Sequence, residues 1–96
     1  MLKHLVFFKF RPDTSEEQID RLLDMLSALP EQIGEIREYL FGRDIVRSER
    51  SYDFALVSLF DDLEALQRYQ VHPEHQKVIG HVKSICESII AVDFEC

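Results

Sequence analysis

Two stretches of the chain, residues 2–10 and 54–60, carry apolar side chains on both of the faces that a β-strand presents. In the first, alternate positions place His4, Val6, Phe8 and Phe10 on one side and Leu5 and Phe7, between Lys3 and Lys9, on the other. In the second, Phe54-Ala55-Leu56-Val57-Ser58-Leu59-Phe60 again leaves neither face polar. A strand with one solvated face alternates apolar with polar residues, so these two demand cover on both sides. A chain of 96 residues, 46% of them apolar, forms one domain over residues 1–96, with material for one layer of helices against one sheet face. A second sheet must cover the other face, and a symmetric copy of the same chain is its simplest source. Size argues the same way, because a domain this small buries only roughly 60–65% of the surface its unfolded chain exposes.

Breakers and caps divide the rest. Arg11-Pro12-Asp13 ends the first strand. Thr14 with Glu17 has capping-box spacing, and Ile19, Leu22, Met25, Leu26 and Leu29 then recur at helical period, predicting an amphipathic helix that ends near Pro30. Glu16, Glu17, Asp20 and Asp24 lie opposite that stripe as a solvated acidic face. Strands are expected over 36–43 and 53–60, joined by a polar stretch. Asp61 with Glu64 repeats the capping-box spacing before a short helix to about Gln70. Pro73 suits the first turn of a further helix reaching about Glu87, and Ser88 to Phe94 read as a fourth strand. The order β, α, β, β, helix pair, β is an α+β, ferredoxin-like βαββαβ pattern, here expected to form a dimeric α/β barrel.

Charge and composition exclude several functions. Eighteen Asp plus Glu against eleven Lys plus Arg give a net charge of −7, and the one basic cluster, Arg43, Arg47 and Arg50, is interleaved with Asp44 and Glu49. Neither nucleic acid nor an anionic membrane is an expected partner. No apolar run reaches spanning length, and the start of the chain lacks a signal-peptide pattern, so the expected location is cytoplasmic. Two cysteines do not form a secreted disulfide framework; Cys86 reads as a small apolar filler and Cys96 as a frayed terminus.

The chemistry-bearing residues concentrate in Tyr69-Gln70-Val71-His72-Pro73-Glu74-His75, with His4 on the first strand. At helical spacing His75 lies within about 80° of Val78, Ile79, Val82 and Ile85, in the middle of an apolar stripe, and Tyr69 lies on the same side as Leu66. A phenol and an imidazole meeting in an apolar pocket can polarise a carbonyl and take a proton beside it. The same spacing suits a buried hydrogen bond that merely satisfies two core polar groups. His72, His75 and His81 do not share a helix face, so no metal site is expected and no cofactor is implied. In the first turn of its helix and on an apolar stripe, His75 is expected to be neutral at pH 7.

The blocks Lys3-His4-Leu5, Phe8-Lys9-Phe10, Gly42-Arg43-Asp44, Tyr52 to Val57, Tyr69 to His75 and Val92-Asp93-Phe94 resemble the stress-responsive α/β-barrel (Dabb) family, over nearly the whole chain. The resemblance implies a homodimer with sheets packed face to face. It also implies a proton-transfer site, because a plant polyketide cyclase of the family uses a tyrosine and a histidine that match Tyr69 and His75. His4 has a counterpart in that pocket, and Phe54 stands where the cyclase has a further histidine. The expectation is therefore a homodimer binding a small apolar or aromatic molecule, with Tyr69 and His75 as catalytic residues and His4 and Phe54 against the substrate. A non-catalytic stress or interaction protein whose dimer is its function is the alternative, and a cofactor-free monooxygenase a second.

Overall fold

The computed structural model describes residues 1–96 and contains seven elements: β1 (Leu2–Phe10), α1 (Glu16–Gln32), β2 (Glu38–Arg43), β3 (Phe54–Phe60), α2 (Leu63–Val71), α3 (Pro73–Ile85) and β4 (Cys86–Glu95). The strands form one antiparallel sheet in the order β2-β3-β1-β4. This is the ferredoxin-like arrangement expected from the sequence, with the two strands that are apolar on both faces at its centre.

Alternation along those strands sorts the side chains. Leu2, His4, Val6 and Phe8 of β1 and Phe54, Leu56, Ser58 and Phe60 of β3 are buried, whereas Leu5, Phe7, Ala55, Val57 and Leu59 remain partly exposed. The buried rows meet Leu22, Leu26 and Leu29 of α1, Ala65 and Leu66 of α2, and Val78, Val82 and Ile85 of α3 in a single core. Phe8, Phe10 and Phe41 surround Phe54, with Phe41 stacked on it at 6.2 Å between ring centroids. Ser58, the buried hydroxyl on β3, donates to the His4 carbonyl at 3.2 Å. The opposite face carries no helix. Across it, register aligns Leu40, Val57, Leu5 and Val92 in one row and Gly42, Ala55, Phe7 and Ile90 in the next. Leu40 and Val92 are exposed at 69% and 58%, a degree unusual for aliphatic side chains on a sheet face.

Several boundaries differ from the sequence reading. The residue that caps α1 is Ser15 rather than Thr14: its hydroxyl accepts from the Gln18 N–H, and the Gln18 side chain accepts from the Ser15 N–H. Thr14 instead donates its hydroxyl hydrogen to the Ile85 carbonyl, tying the end of β1 to the end of α3. The cap of α2 is Asp62, accepting from the Ala65 N–H, while Asp61 pairs with Arg37. Pro30 does not stop α1. The helix continues to Gln32, and the Ile33 N–H still reaches the Leu29 carbonyl, because Leu29 and Ile33 are both buried in the core. At the other end of the chain, Cys96 is joined to the sheet by its N–H to the Met1 carbonyl rather than frayed.

Two of the three arginines around the polar stretch between β2 and β3 are held in ion pairs. Arg43 pairs with Glu16, and Arg47, in the left-handed region at φ 54°, pairs with Asp44 and Asp53. No helix is long and apolar enough to cross a membrane.

Candidate functional site

Between the inward rows of β1 and β4 and the facing side of α3 lies a cavity of about 240 Å³. Val6, Phe8, Leu56, Val78, Val82 and Ile89 contribute to an apolar wall that is interrupted by one phenol, Tyr69, and two imidazoles, His4 and His75.

The turn at His72-Pro73 brings the phenol and one imidazole together. Tyr69 sits on the buried side of α2 with Ala65 and Leu66. His72 ends that helix and begins the next: its N–H reaches the Tyr69 carbonyl, and its Nδ1 accepts from the Glu74 N–H at 3.1 Å. Pro73 opens α3 without losing a needed hydrogen bond. His75 therefore falls in the first turn of α3, its ring 4.1 Å from that of Tyr69 and tilted 38° to it.

The backbone fixes the tautomer of His75. Its Nδ1 is 3.2 Å from the Gln70 carbonyl, which can only accept, so Nδ1 carries the hydrogen and Nε2 keeps its lone pair. Burial disfavours the imidazolium and holds His75 below its ordinary value of 6.5; the Gln70 carbonyl opposes this, and His4 and His72 reinforce it. Tyr69 is fully buried, and burial pushes its phenol up to about 12, against the hydrogen bond it shares with Tyr39. It remains a protonated donor at neutral pH.

The third polar group of the wall is oriented from across the sheet. His4 and Asp93 are register partners on β1 and β4, and His4 Nδ1 donates to the Asp93 carboxylate. The His4 ring meets those of Tyr69 and Phe60 edge-on, each at 6.4 Å.

Three of the four residues singled out from the sequence thus converge: Tyr69, His75 and His4. Phe54 does not line the cavity; it packs against Phe8, one of the wall residues, and against Phe10 and Phe41. His81 stands apart as well, its Nε2 2.8 Å from the Gln18 carbonyl. Cys86 is buried in the core, and burial raises its thiol to about 11. Two participants went unnoticed in the sequence. Asp93 lies on the same strand parity as Ile89 and Ala91, and an acid on an inward apolar row was the available signal. Tyr39 shares the inward parity of β2 with Phe41, and its hydroxyl is 2.7 Å from that of Tyr69.

An imidazole with a free Nε2 beside a phenol donor, both in low-dielectric surroundings, can remove a proton from carbon while holding the oxygen that gains charge. The fold recurs among known proteins. A model of the stress responsive A/B barrel domain, Dabb, matches residues 2–96. The chain belongs to that family. An uncharacterised protein of Streptomyces coelicolor is 33% identical over 97 residues, a match spanning 99% of each chain. Olivetolic acid cyclase of Cannabis sativa, also a homologue of this Dabb chain, is 24% identical over 97% of it and 94% of the cyclase. Among solved structures, a dimeric ferredoxin-like protein of unknown function from Thermobifida fusca superposes with a TM-score of 0.91 at 28% identity, over 99% of this chain and 90% of that one.

Proposed function

We propose that the chain acts as a homodimer whose subunits each bind a small, largely apolar molecule bearing one oxygen function. The observation that carries this reading is the convergence of Tyr69, His75 and His4 on the wall of an otherwise apolar cavity. Apolar walls supply affinity without direction, so the ligand's orientation rests on these few polar groups. Tyr69 donates its hydroxyl hydrogen to the ligand oxygen. His75, neutral and with Nε2 free, takes a proton from the carbon next to that oxygen's carbonyl, and the charge that moves onto the oxygen is held by Tyr69. His4, anchored by Asp93, lines the same cavity with its ring edge-on to Tyr69. That one homologue is a cyclase supports a reading in which the site carries out chemistry. The dimer is supported by the apolar row left uncovered on the sheet and by the dimeric T. fusca neighbour.

Calorimetric titration with 1-indanone and with indane, which share an apolar bicyclic frame and differ by a carbonyl, tests the reading. Wild type is expected to prefer the ketone, and Tyr69→Phe to lose that preference by about a factor of ten while binding indane unchanged. Equal loss of both probes, or no loss of either, contradicts it.

A further inference from the structure

The only hydroxyl that hydrogen-bonds Tyr69 belongs to Tyr39, at 2.7 Å. Two hydroxyls at that distance place one hydrogen between them, and the other is free to go elsewhere. If Tyr69 donates to Tyr39, it has no hydrogen left for a ligand. If Tyr39 donates, the hydrogen of Tyr69 is free to turn into the cavity. No other neighbour settles the choice: Phe60, whose ring lies 4.8 Å away, has no polar atom, His75 Nδ1 is engaged by Gln70, and His4 Nδ1 is engaged by Asp93.

We infer that Tyr39 is a positioning residue of the site: in the liganded protein it donates to the Tyr69 oxygen, directing the Tyr69 hydrogen at the ligand oxygen and strengthening it as a donor. This rests on the assignment of Tyr69 as the group that meets the ligand oxygen. The fold makes the pairing possible. Tyr39 is half-buried on β2, an edge strand, on the inward row opposite Ser58, whereas Tyr69 is fully buried on α2. Their rings meet edge-on at 6.3 Å, so the hydroxyls approach without stacking. Hydrogen bonds in series polarise one another, and a phenol that accepts one becomes a better donor of its own.

A double-mutant cycle with the two probes named above reads this directly. Tyr39→Phe is expected to weaken 1-indanone roughly three- to tenfold, with indane binding unchanged to certify the fold. The double variant Tyr39→Phe/Tyr69→Phe is expected to bind the ketone no more weakly than Tyr69→Phe alone, because Tyr39 acts through Tyr69. Tyr39→Leu, a second variant without the hydroxyl, should lose the same ketone preference. If Tyr69→Phe weakens the ketone but Tyr39→Phe does not, or if the two losses multiply, the positioning role is overturned and the assignment of Tyr69 stands. If Tyr69→Phe itself leaves the ketone preference intact, that assignment fails and the role of Tyr39 falls with it.

Discussion

His75 combines a structural and a chemical constraint in one side chain. Its burial and its place in the first turn of α3 act in the same direction, against the charged form, while the Gln70 carbonyl selects which nitrogen keeps the hydrogen. The pH dependence follows. Because the folded-state value lies below the ordinary 6.5, the unfolded chain takes up its proton first as pH falls. Stability from this group is full above about 6.5 and declines as pH drops from there through the folded value. Denaturation midpoints measured on both sides of that pH should fall on the acid side less in His75→Gln than in wild type. An equal decline in both proteins would contradict the half-buried neutral ring. At this scale the sequence was partly legible. The position of His75 on the apolar stripe followed from helical spacing alone. Asp93 and Tyr39 could not be found that way, because each acts through a partner far along the chain, His4 at the other end and Tyr69 across the sheet-helix boundary. Phe54 shows the reverse: matching a family position placed it at the site, while its apolar side chain settled into the aromatic cluster beside Phe41.

Elements were easier to locate than their ends. All four strands and three helices follow from periodicity and breakers, since a sheet buried by helices on one side and apolar on the other leaves strong patterns. Caps did not follow, because neighbouring residues offered equivalent oxygens. Thr14 and Ser15 both precede α1, as Asp61 and Asp62 both precede α2, and tertiary contacts decide between them: Ile85 takes the Thr14 hydroxyl and Arg37 takes the Asp61 carboxylate. Ser15→Ala should therefore cost about 1 kcal/mol of stability through loss of the cap. Chemical denaturation measures this, and an unchanged midpoint would place the cap elsewhere. Pro30 is read as a stop by sequence rules, but near a helix end its missing N–H costs little beside the burial of Leu29 and Ile33.

For the whole molecule, the uncovered sheet face is the dominant feature. The chain supplies helices for one face and leaves Leu40, Leu5, Val57 and Val92 in a continuous apolar row on the other. Of Leu56 and Val57, adjacent on β3, the structure turns Leu56 under the helices and Val57 outward. Val57→Asp should accordingly dissociate the dimer, since a charge buried without a partner costs about 3–5 kcal/mol. Light scattering at micromolar concentration checks this, and a wild type that is already a stable folded monomer would contradict the proposed assembly. The uncovered face was legible in the sequence because strand parity alone reveals it. An apolar pocket at Tyr69, His75 and His4 was also expected, but the rest of its lining was not, since side chains of β1, β3, β4, α1 and α3 meet there only in the fold.

The most direct measurement is nuclear magnetic resonance of histidine side-chain nitrogens at pH 7 during titration with 1-indanone. The expected result is a neutral His75 with its hydrogen on Nδ1, and ketone-induced shifts at His75 and His4 that leave His81, bound to the Gln18 carbonyl, unmoved. A His75 that is protonated at pH 7, or shifts absent from both His75 and His4, would contradict the cavity as a ligand site run by a neutral imidazole.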